Sequence, residues 1–260
     1  MKRRTYRHDE FERPFSGLNK VFNFLGKNHK LKFKQNKETD MPVDFYCAPA
    51  SIPCRSVMML AKAIGIHLNL KTLNLSKGEH LKSGFEKINP QHTIPTINDN
   101  GFILWESRAI LGYFVERYAK DDSYYPKSPE ERGRVDQRLY FDLAILNYNL
   151  LKAYLDVITG KSNKVNEEGV AGLEKAFELL DAFLNEQDYV AGDNLTIADF
   201  SIISTISTAD EVGFDIRRYD NVMEWYQRCQ KDLSDFGYEQ IDSAGAKILG
   251  NLFKKNLLVQ

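Results

Sequence analysis

Residues 43–55 read Val43-Asp44-Phe45-Tyr46-Cys47-Ala48-Pro49-Ala50-Ser51-Ile52-Pro53-Cys54-Arg55. Val43-Asp44-Phe45-Tyr46 fits a short strand, Pro49 falls in a turn, and the pattern over Cys54–Ile64 is helical and closes on Gly65. Leu68-Asn69-Leu70-Lys71-Thr72-Leu73 then alternates with period two, so residues 43–73 are predicted to form a βαβ unit. A polar stretch with Gly78 and Gly84 separates this unit from Thr96-Ile97 and Phe102-Ile103-Leu104-Trp105. These two short strands surround Asp99-Asn100-Gly101, and Asn-Gly is a strong signal for a tight hairpin turn. Ala109, Ile110, Tyr113, Phe114 and Tyr118 recur at helical spacing. The order over residues 43–118 is therefore βαβ, an irregular or helical stretch, and ββα.

That order is the order of a thioredoxin-like domain. No strand pattern returns after it. Ser128-Pro129-Glu130-Glu131 supplies an N-cap, a proline at the first helical position and a glutamate at the third, which opens a new helix. Val135, Leu139, Leu143, Leu146 and Leu150 stripe that helix, and Leu173, Phe177, Leu180 and Leu184 stripe the next. Asn194-Leu195-Thr196-Ile197-Ala198-Asp199-Phe200 reads as a further helix start, with Thr196 and Asp199 as a capping box and Leu195 and Phe200 as its hydrophobic staple. Helices over Asn221–Lys231 and near Ile241–Phe253 complete an all-helical half. The expected class is α/β plus all-α: a basic extension over residues 1–40, a thioredoxin-like domain over 41–120, a linker over 121–128 and a helical bundle domain over 129–260.

Composition limits the partners. The chain of 260 residues is 43% hydrophobic and 27% charged, and no apolar run approaches the ~18 residues of a membrane span. The net charge of −1 hides an asymmetry, because residues 1–40 hold eleven Lys or Arg against five Asp or Glu. The remaining residues therefore carry −7, which argues against a nucleic-acid-binding surface on the main body. The extension is expected to be disordered. It lacks the apolar core of a secretory signal, and Asp9, Glu10 and Glu12 spoil the acid-poor pattern of a mitochondrial presequence; Met41 would serve as a second start. Cys47, Cys54 and Cys229 are too few for a disulfide framework and fit a reducing, cytoplasmic compartment. Cys47 and Cys54 read as small buried hydrophobes, and no Cys or His spacing of the zinc kind is present.

Ser51 stands where a thioredoxin-like domain places the leading cysteine of Cys-x-x-Cys. A serine cannot form a mixed disulfide, so dithiol exchange is disfavoured. A hydroxyl at a helix N-terminus can donate a hydrogen bond to a thiolate, or it can simply cap the helix. Glu106-Ser107-Arg108 follows a strand and opens a helix, where unpaired N–H groups make a ready anion site. His80 and His92 lie outside the periodic segments.

Residues 42–250 resemble a cytosolic glutathione transferase. The string Ala50-Ser51-Ile52-Pro53-Cys54-Arg55-Ser56 is similar to the serine-type insect delta class in particular, with the epsilon class close. Four further strings agree: Gly78-Glu79-His80-Leu81; Asn89-Pro90-Gln91-His92-Thr93-Ile94-Pro95-Thr96; Trp105-Glu106-Ser107-Arg108-Ala109-Ile110; and Leu195-Thr196-Ile197-Ala198-Asp199. The resemblance implies an enzyme that transfers glutathione to small hydrophobic electrophiles and works as a homodimer in detoxification. Glutathione is then a co-substrate, with no cofactor and no metal, and no nucleic acid or membrane is a partner. Peroxidase or dehydrochlorinase activity is compatible. Ser51 becomes the thiolate donor. His80 and His92 reach the glycine end of glutathione, Thr93 and Ile94 with a cis Pro95 hold its cysteinyl part, and Glu106, Ser107 and Arg108 grip the γ-glutamyl end. The electrophile is expected between the domains, against Asn147, Leu150, Leu151 and Tyr154 with Ile52 and Pro53 opposite. Delta relatives commonly carry an aromatic residue where this chain has Asn147. A non-catalytic carrier of the same fold and a thiol oxidoreductase of the omega or glutaredoxin kind are the alternatives.

Overall fold

The computed structural model describes residues 42–258, and the basic extension lies outside the described residues. Its first unit holds β1 (Val43–Cys47), α1 (Ile52–Ile64), β2 (Leu68–Thr72), a short helix α2 (Ser83–Glu86), β3 (Thr96–Asp99), β4 (Phe102–Trp105) and α3 (Ser107–Tyr118). The sheet order is β2-β1-β3-β4, with β1 parallel to β2 and antiparallel to β3, and β4 antiparallel to β3. This is the thioredoxin-like arrangement. Val43, Phe45 and Cys47 alternate inward along β1 and pack with Val57, Leu60, Ile97, Ile110 and Phe114. Helix α1 stops at Gly65, whose φ of 79° is left-handed and open to a residue without Cβ. Asn100 and Gly101, at φ 51° and 95°, make the two-residue turn that joins β3 to β4.

The second unit is helical: α4 (Pro129–Phe141), a π-helical segment (Asp142–Leu146), α5 (Asn147–Ile158), α6 (Glu167–Leu184), α7 (Ile197–Glu211), α8 (Asp220–Asp232), a second π-helical segment (Tyr238–Ser243) and α9 (Ala244–Leu257). Ser128 accepts from the Glu131 amide at the start of α4, and the Thr196–Asp199 capping box opens α7. Helix α7 is buried on all sides and forms the axis of this unit. The first π segment corrects one reading of the sequence. Its i→i+5 pattern resets the helical phase, so the inward row runs Val135, Leu139, Asp142, Leu146, Leu150, and Leu143 is exposed. A buried carboxylate thus stands where a leucine was expected.

Helices α1 and α3 of the first unit pack against α7 of the second, and α1 also meets the tail segment before α9. Two arginines cross the boundary: the buried Arg55 pairs with Asp242, and the partly buried Arg108 pairs with Asp142. Among the described residues no helix is long and apolar enough to cross a membrane.

Candidate functional site

The sheet register brings three loops to one end. Tyr46 near the end of β1 lies opposite Thr96 at the start of β3, and Thr96 lies opposite Trp105 at the end of β4. Ser51 follows β1, Ile94-Pro95 precedes β3, and Glu106-Ser107 follows β4. All three therefore gather at the same edge of the sheet, where α1 and α3 also begin.

Ser51 is the N-cap residue of α1, with φ −65° and ψ 124°, yet its side chain makes no cap hydrogen bond. The local sequence explains why. A cap hydroxyl bonds the amide of the second or third helical residue; Pro53, at the second, has no N–H, and the Cys54 amide at the third donates to the Ser51 carbonyl at 3.1 Å. The hydroxyl is left half-exposed at the helix's positive end, free of the capping role that was its simpler explanation. Its inner neighbour is the Cys54 thiol. Burial pushes that thiol up to about 11, and hydrogen bonding by Ser51 only partly offsets the rise. Cys54 is fully buried, as are Cys47 and Cys229, and all three are free. A buried, protonated Cys54 beside a serine cannot run dithiol exchange.

The loop before β3 is held from below. Asn89, fully buried, donates through Nδ2 to the Thr93 carbonyl at 3.0 Å, to Thr93 Oγ1 at 3.1 Å and to Thr96 Oγ1 at 2.9 Å. The Ile94–Pro95 bond is cis, Pro95 is buried, and Ile94 and Thr93 are progressively more open. His92 adopts a left-handed φ of 57°, and its Nδ1 lies 2.9 Å from the His80 carbonyl oxygen. A carbonyl only accepts, so Nδ1 carries the proton and Nε2 is the ring atom left to meet a ligand. His80 is half-buried with its Nδ1 unpartnered, and burial, followed by the neighbouring His92, holds it below the usual imidazole range. Among the described residues, no three His, Cys, Asp or Glu side chains gather where they could hold a metal ion.

Glu106 is exposed and has φ 71° and ψ 107°, a conformation that costs a non-glycine residue of order 1–3 kcal/mol. Its side chain is exposed immediately before the first turn of α3. Ser107, only 2% exposed, accepts from Arg108 Nη1 at 3.2 Å. Arg108 also reaches the helical unit. Its Nη2 is committed to the fully buried Asp142 carboxylate, which also accepts from Ser201 Oγ at 2.6 Å and Thr205 Oγ1 at 2.9 Å. Arg108 thus links Ser107 to the helical unit. Sequence reasoning missed both Asn89 and Asp142 as supports; a buried position with a polar residue is visible only once the helical phase is known.

The apolar wall also differs from its prediction. Leu150, 1% exposed, packs in the helical core and offers no surface to a substrate. Tyr154 is buried edge-on to Phe253, with ring centroids 5.4 Å apart, and Asn147 is buried with its Nδ2 3.3 Å from Thr205 Oγ1. Only Leu151 of the four keeps a partly open side chain; on the opposite side Ile52 is buried and Pro53 half-buried. The inward phase after the π segment puts these residues in the core. Leu143, Ile145, Tyr148 and Leu155 are the apolar side chains left open along α5 and the turn before it.

The first unit is a thioredoxin-like domain followed by a helical domain, and the position of the leading cysteine is held by a serine, which cannot form a disulfide. Residues 41–116 match the glutathione S-transferase N-terminal domain, and residues 125–231 match the glutathione S-transferase C-terminal domain. The Bombyx mori glutathione transferase BmGSTD1 is 42% identical, with a TM-score of 0.80 over 83% of this chain and 100% of that one. A delta-class glutathione transferase from Nilaparvata lugens is 43% identical, with a TM-score of 0.78 over 83% and 100% of the two chains. An epsilon-class enzyme from the housefly, Musca domestica, is 33% identical, with a TM-score of 0.78 over 84% and 100%. The chain belongs to the glutathione transferase family, and its likeness is greater to these delta-class structures than to the epsilon-class one.

Proposed function

We propose that this glutathione transferase activates the glutathione thiol through the Ser51 hydroxyl and transfers the thiolate to small hydrophobic electrophiles. The observation that carries this reading is the Ser51 hydroxyl itself, uncapped and partly open at a helix N-terminus. Free glutathione's thiol titrates near ~8.5 and is only a few per cent ionised at neutral pH. Lowering that value by ~2 requires about 2.7 kcal/mol. A hydroxyl hydrogen bond to a charged acceptor contributes ~1.5–3 kcal/mol and the helix end ~0.3–1, which together are of the required size. No further group is needed, so glutathione is the co-substrate and no cofactor takes part.

In this reading His80 and His92 meet the glycine carboxylate, Thr93 and Ile94 beside Pro95 align the cysteinyl backbone, and Glu106 and Ser107 hold the γ-glutamyl ammonium and carboxylate. Leu151 and Pro53 border the electrophile. Organic hydroperoxides and dehydrochlorination substrates fit the same activated thiolate, and a cytoplasmic enzyme of detoxification is the corresponding setting. Retention on immobilised glutathione followed by a conjugation assay is the test. Binding without turnover would make the protein a carrier instead.

Glu106→Ala and Ser107→Ala should raise the KM for glutathione while leaving kcat nearly intact, because both groups grip a part of the substrate that does not change in the reaction. Unchanged glutathione affinity in both variants would displace the γ-glutamyl site. The enzyme is expected to be a homodimer, a reading supported by the exposed Phe102, Tyr140 and Tyr148. Light scattering should give about 60 kDa against the 30.0 kDa of the chain, and a value near the latter would refute it. Removing residues 1–40 should leave turnover unchanged, since every proposed contact follows Met41; a loss of activity in the shortened enzyme would place part of the site in that segment.

A further inference from the structure

Arg55 is one helical turn beyond Ser51, and its amide donates to the Ser51 carbonyl at 3.1 Å. Its guanidinium is fully buried, and every partner comes from the other domain. Nη1 donates to the Asp242 carbonyl at 2.6 Å and to Ser207 Oγ at 3.3 Å; Nη2 donates to the Ser204 carbonyl at 2.9 Å and to Thr208 Oγ1. Asp242, equally buried, pairs with Nη1 at 3.1 Å. The other titratable groups facing the guanidinium are Cys54, Tyr226 and Tyr238. A buried ion pair is poor evidence for stability, because both ions are desolvated and a well-packed apolar pair often does as well. What the pair does here is tie the first turn of α1 to the tail of the helical domain.

A second, chemically unrelated contact bears on the same turn. A Cβ at Gly245, in the first turn of α9, would lie 2.4 Å from Arg55 Cδ and 3.0 Å from the Pro49 carbonyl oxygen. The tail of the chain therefore touches the turn on both sides of Ser51, at Pro49 before it and at Arg55 after it. Ser51 makes no cap hydrogen bond to the backbone of its own helix, and its hydroxyl has only the neighbouring Cys54 thiol there, so the position of the turn decides where the hydroxyl sits.

We infer that Arg55, Asp242 and Gly245 are positioning residues for Ser51, through which the C-terminal segment of the helical domain sets the alignment of the thiolate-stabilising hydroxyl. The inference rests on the proposed role of Ser51. Loss of the brace lets the hydroxyl drift from the thiolate; misplacement on the order of 1 Å is enough to cost up to ~100-fold in rate. Binding of the γ-glutamyl and glycine ends, which uses other loops, is untouched.

The test compares pH profiles of kcat/KM and the KM for glutathione in Ser51→Ala, Asp242→Asn and Gly245→Ala. Leu180→Ala, a core truncation in α6 away from the turn, serves as a control for lowered stability. Asp242→Asn and Gly245→Ala should each lose on the order of tenfold in kcat/KM at neutral pH, with the rising limb moved about one pH unit higher, toward that of Ser51→Ala. Their KM for glutathione should stay within about twofold of wild type, and Leu180→Ala should keep the wild-type profile. Gly245→Ala changes no charge and decides alone if Asp242→Asn is not recovered folded; Arg55→Lys, which keeps the charge but loses the fork, takes its place if neither folds. Folded variants with the wild-type profile overturn the positioning role, as does a Leu180→Ala profile moved equally. A wild-type profile in Ser51→Ala would instead overturn the thiolate role of Ser51, a separate result.

Discussion

Ser51→Ala should lose about 30- to 150-fold in kcat/KM at neutral pH, the effect of removing one charge-assisted hydrogen bond of ~2–3 kcal/mol. The hydroxyl stabilises the thiolate and holds no other part of glutathione, so affinity for the tripeptide should change little. The sign of the pH dependence follows. Stabilising the anion lowers the bound thiol's pKa, and removing the donor raises it. The variant should therefore recover activity as pH climbs toward the range where free glutathione ionises, whereas wild type is already ionised there. The fold should be unaffected, because the Ser51 side chain satisfies no helix amide. Steady-state rates across pH, with KM determined separately, check all three statements. Unaltered turnover at neutral pH would exclude Ser51.

Asp199→Ala should act in the opposite way, on stability with little effect on chemistry. Asp199 is fully buried and accepts from the Val190 amide at 3.0 Å, the Thr196 amide at 2.8 Å, Thr196 Oγ1 at 3.0 Å and Trp225 Nε1 at 2.9 Å. Truncation strands these donors away from water and loosens the start of α7, the helix on which both domains rest. Leaving several buried donors unpaired costs roughly 3–5 kcal/mol, or about 10 °C in Tm for a chain of this size. Activity per folded molecule should be retained, since Asp199 lies outside the sheet-end site. Thermal unfolding beside a rate normalised to folded protein is the measurement. A loss of specific activity at unchanged Tm would show that the capping box does more than organise the helix.

Local chemistry made much of this molecule legible in its sequence. The turn at Pro49, the Gly65 stop, the Asn100-Gly101 hairpin and the caps at Ser128 and Thr196 each involve residues within a few positions of one another, and each forms as expected. Errors begin where a partner is far away or the helical phase changes. The π segment at Asp142–Leu146 has no composition signal, so extending a 3.6-residue stripe through it put Leu143 inward and passed over Asp142. That slip hid Asp142 as a partner of Arg108, 34 residues away. Leu150 lies on the predicted stripe and in the core, and its candidacy as a substrate contact came from the family resemblance alone. Arg55 stood in the quoted motif without a role, because its acceptors lie 149 to 187 residues downstream and only packing brings them to it. Asn89 was similarly silent: its work is to hold Thr93 and Thr96, which becomes visible only when the loop closes.

The central claim is that the Ser51 hydroxyl holds the glutathione sulfur as its anion. It is tested most directly by titrating enzyme-bound glutathione through the ultraviolet absorbance of its thiolate, in wild type and in Ser51→Ala. Wild type should show a midpoint about 2 pH units below the ~8.5 of free glutathione, and Ser51→Ala should move most of the way back. Equal midpoints in the two proteins, with glutathione bound in both, would contradict the account.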